Sequence, residues 1–260
     1  MPNAINHRRL QLNGAEIYLR ESDGGDGSYP DLLCIHGNLG SGLWFEPMMA
    51  RYPGRIFAPD MPNFGQSSHI ASWEIADYAR WIGSILHHLE LNAPVVLGHS
   101  LGGAVAMELA FQKPKQLSRL ILVDSSPVDG LITPKEHYPA IEAYKADKNI
   151  LAQALKTIAP TLGDEELFAQ LVEDAWKMNR ECFIGHAEAL GRAQFREKLG
   201  NFKIPVHVFY GAMDILINEQ LAKPTADFFG TEAVKLESCG HSPIVEIPDE
   251  FTEAVKSLVK

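Results

Sequence analysis

Short apolar runs alternate along the chain with stretches whose apolar residues recur every three to four positions. Leu10-Gln11-Leu12 and the alternating Ala15-Glu16-Ile17-Tyr18-Leu19 flank Asn13-Gly14. Asn-Gly between two such runs favours the positive-φ turn of a tight β-hairpin, so both runs read as paired strands. Leu32–Ile35, Arg55–Ala58, Val95–Leu97, Leu120–Val123, Val206–Tyr210 and Val234–Leu236 read as further strands. Between Trp73 and Leu91, residues Ile75, Tyr78, Ala79, Ile82, Leu86 and Leu89 fall at helical spacing. A second helix follows Ser100 and is expected to stop near Lys113-Pro114, because proline breaks the helical ladder. A closing helix spans Phe251 to Val259. Continuous apolar strands separated by helices need cover on both faces, which predicts an α/β architecture with a mostly parallel sheet.

One stretch interrupts this rhythm. From Pro127 to about Arg192 the composition is helical, no clear strand is present, and a strand lies on either side. It is expected to sit as a helical cap above the strand ends, the edge where open parallel sheets bind ligands. The predicted organisation is a core of residues 1–126 and 193–260 with a cap insertion at 127–192.

Composition narrows the setting. The 260 residues suffice for one large α/β domain with an insertion, and 46% hydrophobic with 22% charged residues is ordinary for a soluble globular protein. A formal net charge of −10 opposes binding to nucleic acid and to anionic membranes. No segment approaches the ~20 apolar residues of a membrane span, and the first dozen residues carry no apolar signal core. Cys34, Cys182 and Cys239 form no C-x-x-C pair and read as reduced thiols. The expectation is a cytoplasmic protein with no nucleic-acid partner and no membrane insertion. Oligomeric state stays open.

The chemistry concentrates at Gly98-His99-Ser100-Leu101-Gly102, between the strand Val95–Leu97 and a helix. A G-x-S-x-G at a strand-to-helix turn lifts the serine oxygen clear of the sheet, and the flanking glycines let the turn close without a Cβ clash. The new helix aims free N–H groups at the reacting centre. A serine needs a base, and an imidazole, with an ordinary pKa near 6.5, suits that work. Of ten histidines, His241 in Cys239-Gly240-His241-Ser242-Pro243 stands just past the last strand. Asp214, in Gly211-Ala212-Met213-Asp214, follows the strand ending at Tyr210 and can hold the imidazole in the right tautomer. Asp124, ending the strand Leu120–Val123, is the rival acid; its alternative is a plain loop carboxylate. The backbone N–H groups of Leu101 and Asn38 are candidate oxyanion donors.

HGNLG at 36–40, APDMPNFGQS at 58–67, GHSLGG at 98–103, GAMD at 211–214 and GHSPIVEIP at 240–248 stand in the order of the α/β-hydrolase superfamily, which the chain resembles over nearly its whole length. The resemblance implies an eight-stranded, mostly parallel sheet, a helical lid, and Asp60 as a structural residue. It also implies a cofactor-free serine hydrolase, carboxylesterase in type, acting on a small-molecule ester through an acyl-enzyme. The same triad serves carbon–carbon, lactone or amide hydrolysis, perhydrolysis, or a small-molecule receptor. Carbon–carbon hydrolases of the superfamily bring an arginine from the lid, for which Arg180 and Arg192 are the candidates. H-G-N resembles the loop of haloalkane dehalogenases, but those carry aspartate where this chain has Ser100. The Asn38 amide either faces the pocket or shapes a local turn.

Trp44, Phe45, Trp176 and Phe183 are candidate apolar pocket residues, each equally suited to a core. His36 and His99 read as structural. His87-His88 lacks a second ligand pair, so no metal site is expected there and a solvated helix face is the simpler reading.

Overall fold

In the computed structural model, which describes residues 2–25, 27–113, 115–200 and 202–260, Asn13-Gly14 reverses the chain as its sequence demands. Asn13 takes φ +50° and Gly14 φ +81°, which places Leu12 opposite Ala15 in the antiparallel pair β1 (Ile5–Leu12) and β2 (Ala15–Ser22). β1 starts five residues before its apolar run. Asn6 to Arg9 are polar and exposed, and as an edge strand it is held by backbone pairing and cross-strand contacts such as Arg8–Glu21 at 2.7 Å.

The remaining strands are β3 (Leu32–Ile35), β4 (Ile56–Pro59), β5 (Val95–His99), β6 (Arg119–Val123), β7 (Val206–Gly211) and β8 (Ala233–Leu236). They form one eight-stranded sheet in the order β1-β2-β4-β3-β5-β6-β7-β8, parallel from β4 to β8. Every residue of β3, β4 and β5 is buried, so the centre of the sheet is covered on both faces.

The helices are α1 (Glu46–Met49), α2 (Ile75–His88), α3 (Leu101–Gln112), α4 (Tyr138–Ala146), α5 (Lys148–Ile158), α6 (Glu165–Trp176), α7 (Cys182–Arg192), α8 (Glu219–Phe229), α9 (Pro243–Glu246) and α10 (Pro248–Val259), of which α3 and α8 pack directly on the sheet. α3 is buried at every position from Leu101 to Ala110, as expected of a helix that is apolar all round. Its one acid in this run, Glu108, meets Lys198 at 2.7 Å. Pro114, the expected stop signal, lies outside the described residues. α4 to α7 lie between β6 and β7 with no strand among them.

After β3 the chain leaves toward β4 on one side; after β5 it leaves toward β6 on the other. The two connections diverge and open a crevice at the carboxyl ends of β3 and β5, the position where open α/β sheets bind ligands.

A buried ion-pair cluster fastens this edge. Arg20 on β2 donates to Asp60 at 2.6 Å, to Glu46 at 2.9 Å and to Asp174 on α6 at 3.3 Å. Burial alone would weaken the charge on Arg20, but the three carboxylates outweigh it and raise its pKa. Asp60 also accepts from the N–H groups of Gly42 and Gln66. These contacts accord with the structural place that the resemblance implied for it. Replacing Arg20 with Met leaves the fully buried Asp60 without a counter-charge and Asp174 with only the more exposed Lys177. Urea unfolding is expected to show a loss of about 3–5 kcal/mol; a loss below about 1 kcal/mol would contradict this role.

Candidate active site

β5 ends at His99 and α3 begins at Leu101, which leaves one residue for the turn. Ser100 takes φ +54° and ψ −120°, a conformation that costs a non-glycine residue of order 1–3 kcal/mol. Close backbone approach enforces it. A Cβ on Gly98 would lie 2.5 Å from the Gly102 carbonyl oxygen, and one on Gly102 would lie 2.2 Å from that of Ile35. The Ser100 N–H donates to the Val123 carbonyl at 3.0 Å, and its own carbonyl accepts from Gly103 at 2.9 Å. The serine is thus held out from the end of the sheet.

His241 lies between β8 and α9. Its N–H donates to the Ile158 carbonyl of α5 at 2.8 Å, and its carbonyl accepts from His99 Nε2 at 2.7 Å. His241 Nδ1 donates to Asp214 Oδ2 at 2.7 Å, both side chains being buried. With the hydrogen on Nδ1, Nε2 carries the lone pair and is the atom able to accept a proton. Ser100 and His241 line one cavity. No hydrogen bond joins their side chains, a contact that commonly tightens only with substrate.

Asp214 has further partners. Its Oδ1 accepts from the Leu216 N–H at 2.7 Å. Burial raises its carboxyl, but the hydrogen bond and charge of His241 more than offset this, so its pKa lies below the ordinary carboxylate value. Asp124, expected as a plain loop carboxylate, is instead fully buried beside it. One atom from each of Asp124, Asp214 and His241 lies within 4.8 Å of the others. Asp124 Oδ1 accepts from the Gly211 N–H at 2.8 Å, while Oδ2 has no donor. Burial, followed by the adjacent Asp214, pushes the Asp124 carboxyl well above its ordinary value. A proton on Oδ2 turns the orphan acceptor into a donor facing Asp214.

The loop after β3 completes the group. His36 Nε2 accepts from the Met61 N–H at 2.9 Å, so Nδ1 donates to the Gly37 carbonyl at 2.8 Å. Burial lowers this ring to about 4 and keeps it neutral. His99 stacks on Trp44 with centroids 5.8 Å apart; burial, reinforced by nearby His241, lowers it to about 3. Both histidines hold backbone in place, as expected. The Leu101 N–H sits at the first position of α3 and has no intrahelical acceptor. The Asn38 N–H has no backbone acceptor among the described residues. Asn38 lines the cavity, and Leu101 directly follows Ser100, which lines it too.

That cavity measures about 310 Å³. Trp44 lines it together with Leu39, Tyr144, Ile158, Ile215 and Leu216. Trp176 and Phe183 do not line it. Trp176 carries the guanidinium of Arg180 at 3.8 Å, and Phe183 packs behind Tyr144, centroids 5.9 Å apart. Phe45 is core. Apolar character alone does not say which face of an inserted helix turns to the cavity. Tyr144 and Ile158 escaped notice for that reason. Ile215 and Leu216 had a signal, since they directly follow Asp214. A larger, more open groove of about 1050 Å³ includes His87, His88 and Lys113. It lies at the far end of α3, roughly 17 Å from Ser100 by helical rise. His87 and His88 are exposed there.

Residues 30–248 match the family model of the alpha/beta hydrolase fold, and the chain belongs to that family. The pimeloyl-(acyl-carrier protein) methyl ester esterase of Yersinia pseudotuberculosis is 25% identical over 245 residues, covering 86% of this chain and 91% of its own. An esterase from Exiguobacterium antarcticum superposes with a TM-score of 0.86 at 20% identity, over 97% of this chain and 99% of its own. The enol-lactonase from Burkholderia xenovorans LB400 does so at 0.83 and 19%, over 96% and 98%. The expected fold is confirmed, and the named relatives agree with the expectation of an ester-hydrolysing enzyme. No helix among the described residues is long and apolar enough to cross a membrane.

The two acids make separable predictions. Asp214→Asn removes the acceptor that fixes the His241 tautomer and is expected to lower kcat by about 10³–10⁴-fold. Asp124→Asn keeps a donor facing Asp214 and is expected to stay within about tenfold of the parent, since one neutral hydrogen bond is at stake. Steady-state kinetics on an aryl ester check both, and the reverse order would exchange their assignments.

Proposed function

We propose that the protein is a serine hydrolase that cleaves a carboxylic ester of a small to medium-sized, uncharged substrate. The observation that carries this reading is the His241–Asp214 hydrogen bond of 2.7 Å behind a cavity that Ser100 shares. Ser100 Oγ attacks the ester carbonyl as His241 Nε2 takes its proton. Asp214 keeps the hydrogen on Nδ1 and stabilises the imidazolium. The N–H groups of Leu101 and Asn38 receive the oxyanion, each worth about 3–4 kcal/mol in such sites. His241 then protonates the leaving alcohol, and water resolves the acyl-enzyme by the same route.

Cavity volume and lining support the substrate class. About 310 Å³ lies at the small end of the usual 300–1,000 Å³ for small-molecule sites. Neither Arg nor Lys stands among the described lining residues. The candidate lid arginines are engaged elsewhere: Arg180 lies over Trp176 and donates to the Lys145 carbonyl, and Arg192 pairs with Glu74 at 2.6 Å. This weighs against carbon–carbon hydrolysis of an acidic substrate. The relative named as a methyl ester esterase supports an ester bond.

We read residues 127–192 as a cap unit on a core of 1–126 and 193–260, since α4 and α5 supply Tyr144, Ala154, Thr157 and Ile158 to the cavity. The three cysteines are buried and free, which supports a reducing, cytoplasmic setting.

Aryl esters of graded acyl length are expected to be turned over many times per enzyme, with rates falling once the acyl group outgrows the cavity of about 310 Å³. Ser100→Ala is expected to retain its fold and to fall to near background. Full activity in Ser100→Ala would remove the assignment. A single slow turnover in the parent protein would favour a receptor.

A further inference from the structure

His186, on α7, is fully buried with both ring nitrogens engaged. Nδ1 lies 2.8 Å from Asn38 Oδ1, and Nε2 lies 2.8 Å from the Tyr78 hydroxyl. The ring lies flat on Phe64, centroids 4.9 Å apart and planes 4° from parallel. An amide oxygen only accepts, so Nδ1 carries the hydrogen and Nε2 receives the Tyr78 O–H. The Tyr78 oxygen in turn accepts from Asn63 Nδ2 at 3.1 Å. Burial lowers His186 to about 3, so the ring is neutral and this direction of hydrogens persists through the working pH range.

The consequence falls on Asn38. Its amide oxygen is held toward α7, which turns its NH₂ group another way. Nδ2 has no acceptor among the described residues, and it is not sealed off among the buried polar atoms. Asn38 thus lines the Ser100 cavity while its side-chain donor has no protein acceptor among the described residues.

We propose that the Asn38 side-chain amide is a donor subsite, that His186 is the positioning residue that aims it, and that favoured substrates are esters carrying a carbonyl, ether or hydroxyl oxygen within about four bonds of the scissile carbonyl. This rests on the serine-esterase reading above. Reach sets the spacing, because the backbone N–H of the same residue is placed at the oxyanion. Lining sets the charge: a neutral donor beside Trp44, Ile158, Ile215 and Leu216 cannot compensate a desolvated ion. A plain alkyl chain covering the donor leaves it unpaired, and such mismatches are how polar sites reject apolar analogues.

The test compares matched esters in the parent protein, Asn38→Ala and His186→Phe. One pair is 4-nitrophenyl methoxyacetate and 4-nitrophenyl butanoate; the other is 2-methoxyethyl acetate and butyl acetate. Within each protein the kcat/KM ratio of ether to methylene ester is taken, so intrinsic reactivity cancels between proteins. The ratio is expected to fall about tenfold in both variants for at least one pair. Tyr78→Phe, which releases Nε2, is expected to shift it in the same direction by a smaller factor and serves if His186→Phe does not fold. A merely structural role for His186 lowers both esters equally; ratios unmoved in both pairs would overturn the proposal. Failure of the underlying reading is distinct, because Ser100→Ala would then still hydrolyse both esters of a pair.

Discussion

The turn at Ser100 is the constraint on which the rest depends. A serine at φ +54° is stable only because β5, α3 and β3 meet more closely than side chains at 98 and 102 would allow. That approach puts the first N–H groups of α3 beside the loop after β3. It also sits where the connections from β3 and β5 diverge, so the crevice and the nucleophile are consequences of one topology. The cost of the strained turn is met by burial of α3 along its length.

Charge is arranged around this turn with few mobile parts. His36, His99 and His186 are buried and neutral, each locked by hydrogen bonds. Asp124 and Asp214 share a buried site in which one carboxyl is pushed up and the other down. Like charges at such separation cannot both ionise cheaply, and the division leaves a single carboxylate facing His241. The helices between β6 and β7 are fastened to the same edge by polar ties that include Arg20 to Asp174, Asn38 and Tyr78 to His186, and His241 N–H to the Ile158 carbonyl. Another joins Asn179 N–H to the Asn63 carbonyl at 2.9 Å. Tyr144, Ala154, Thr157 and Ile158 of these helices form part of the cavity wall.

Much of this was legible before any coordinates. Continuous apolar runs mark β3 to β7 because those strands are buried on both faces, and Asn13-Gly14 marks the hairpin because its turn demands two positive φ values. Ser100, His241 and Asp214 could be paired because each follows a strand at the same sheet edge. Other features left no local trace. Residues 6–9 of β1 are polar and are held by strand pairing and cross-strand side-chain contacts. α8 contains Pro224, which disguises an otherwise amphipathic helix. Trp176 and Phe183 carry the composition of a pocket without its placement, since nothing local fixes the rotation of an inserted helix. The partnership of Asp124 with Asp214, and of His186 with Asn38 across 148 positions, arises only once the sheet is assembled.

The central claim is that the 100-position hydroxyl is activated by the imidazole at 241. Peptide mass mapping after treatment with a fluorophosphonate, at limiting reagent and neutral pH, tests it most directly. A single adduct on Ser100, formed at least about 10²-fold more slowly when His241 is replaced by Ala, a loss within the range ascribed to a general base, is the predicted result. Labelling spread over several serines, or labelling of Ser100 at an unchanged rate without His241, would contradict the account.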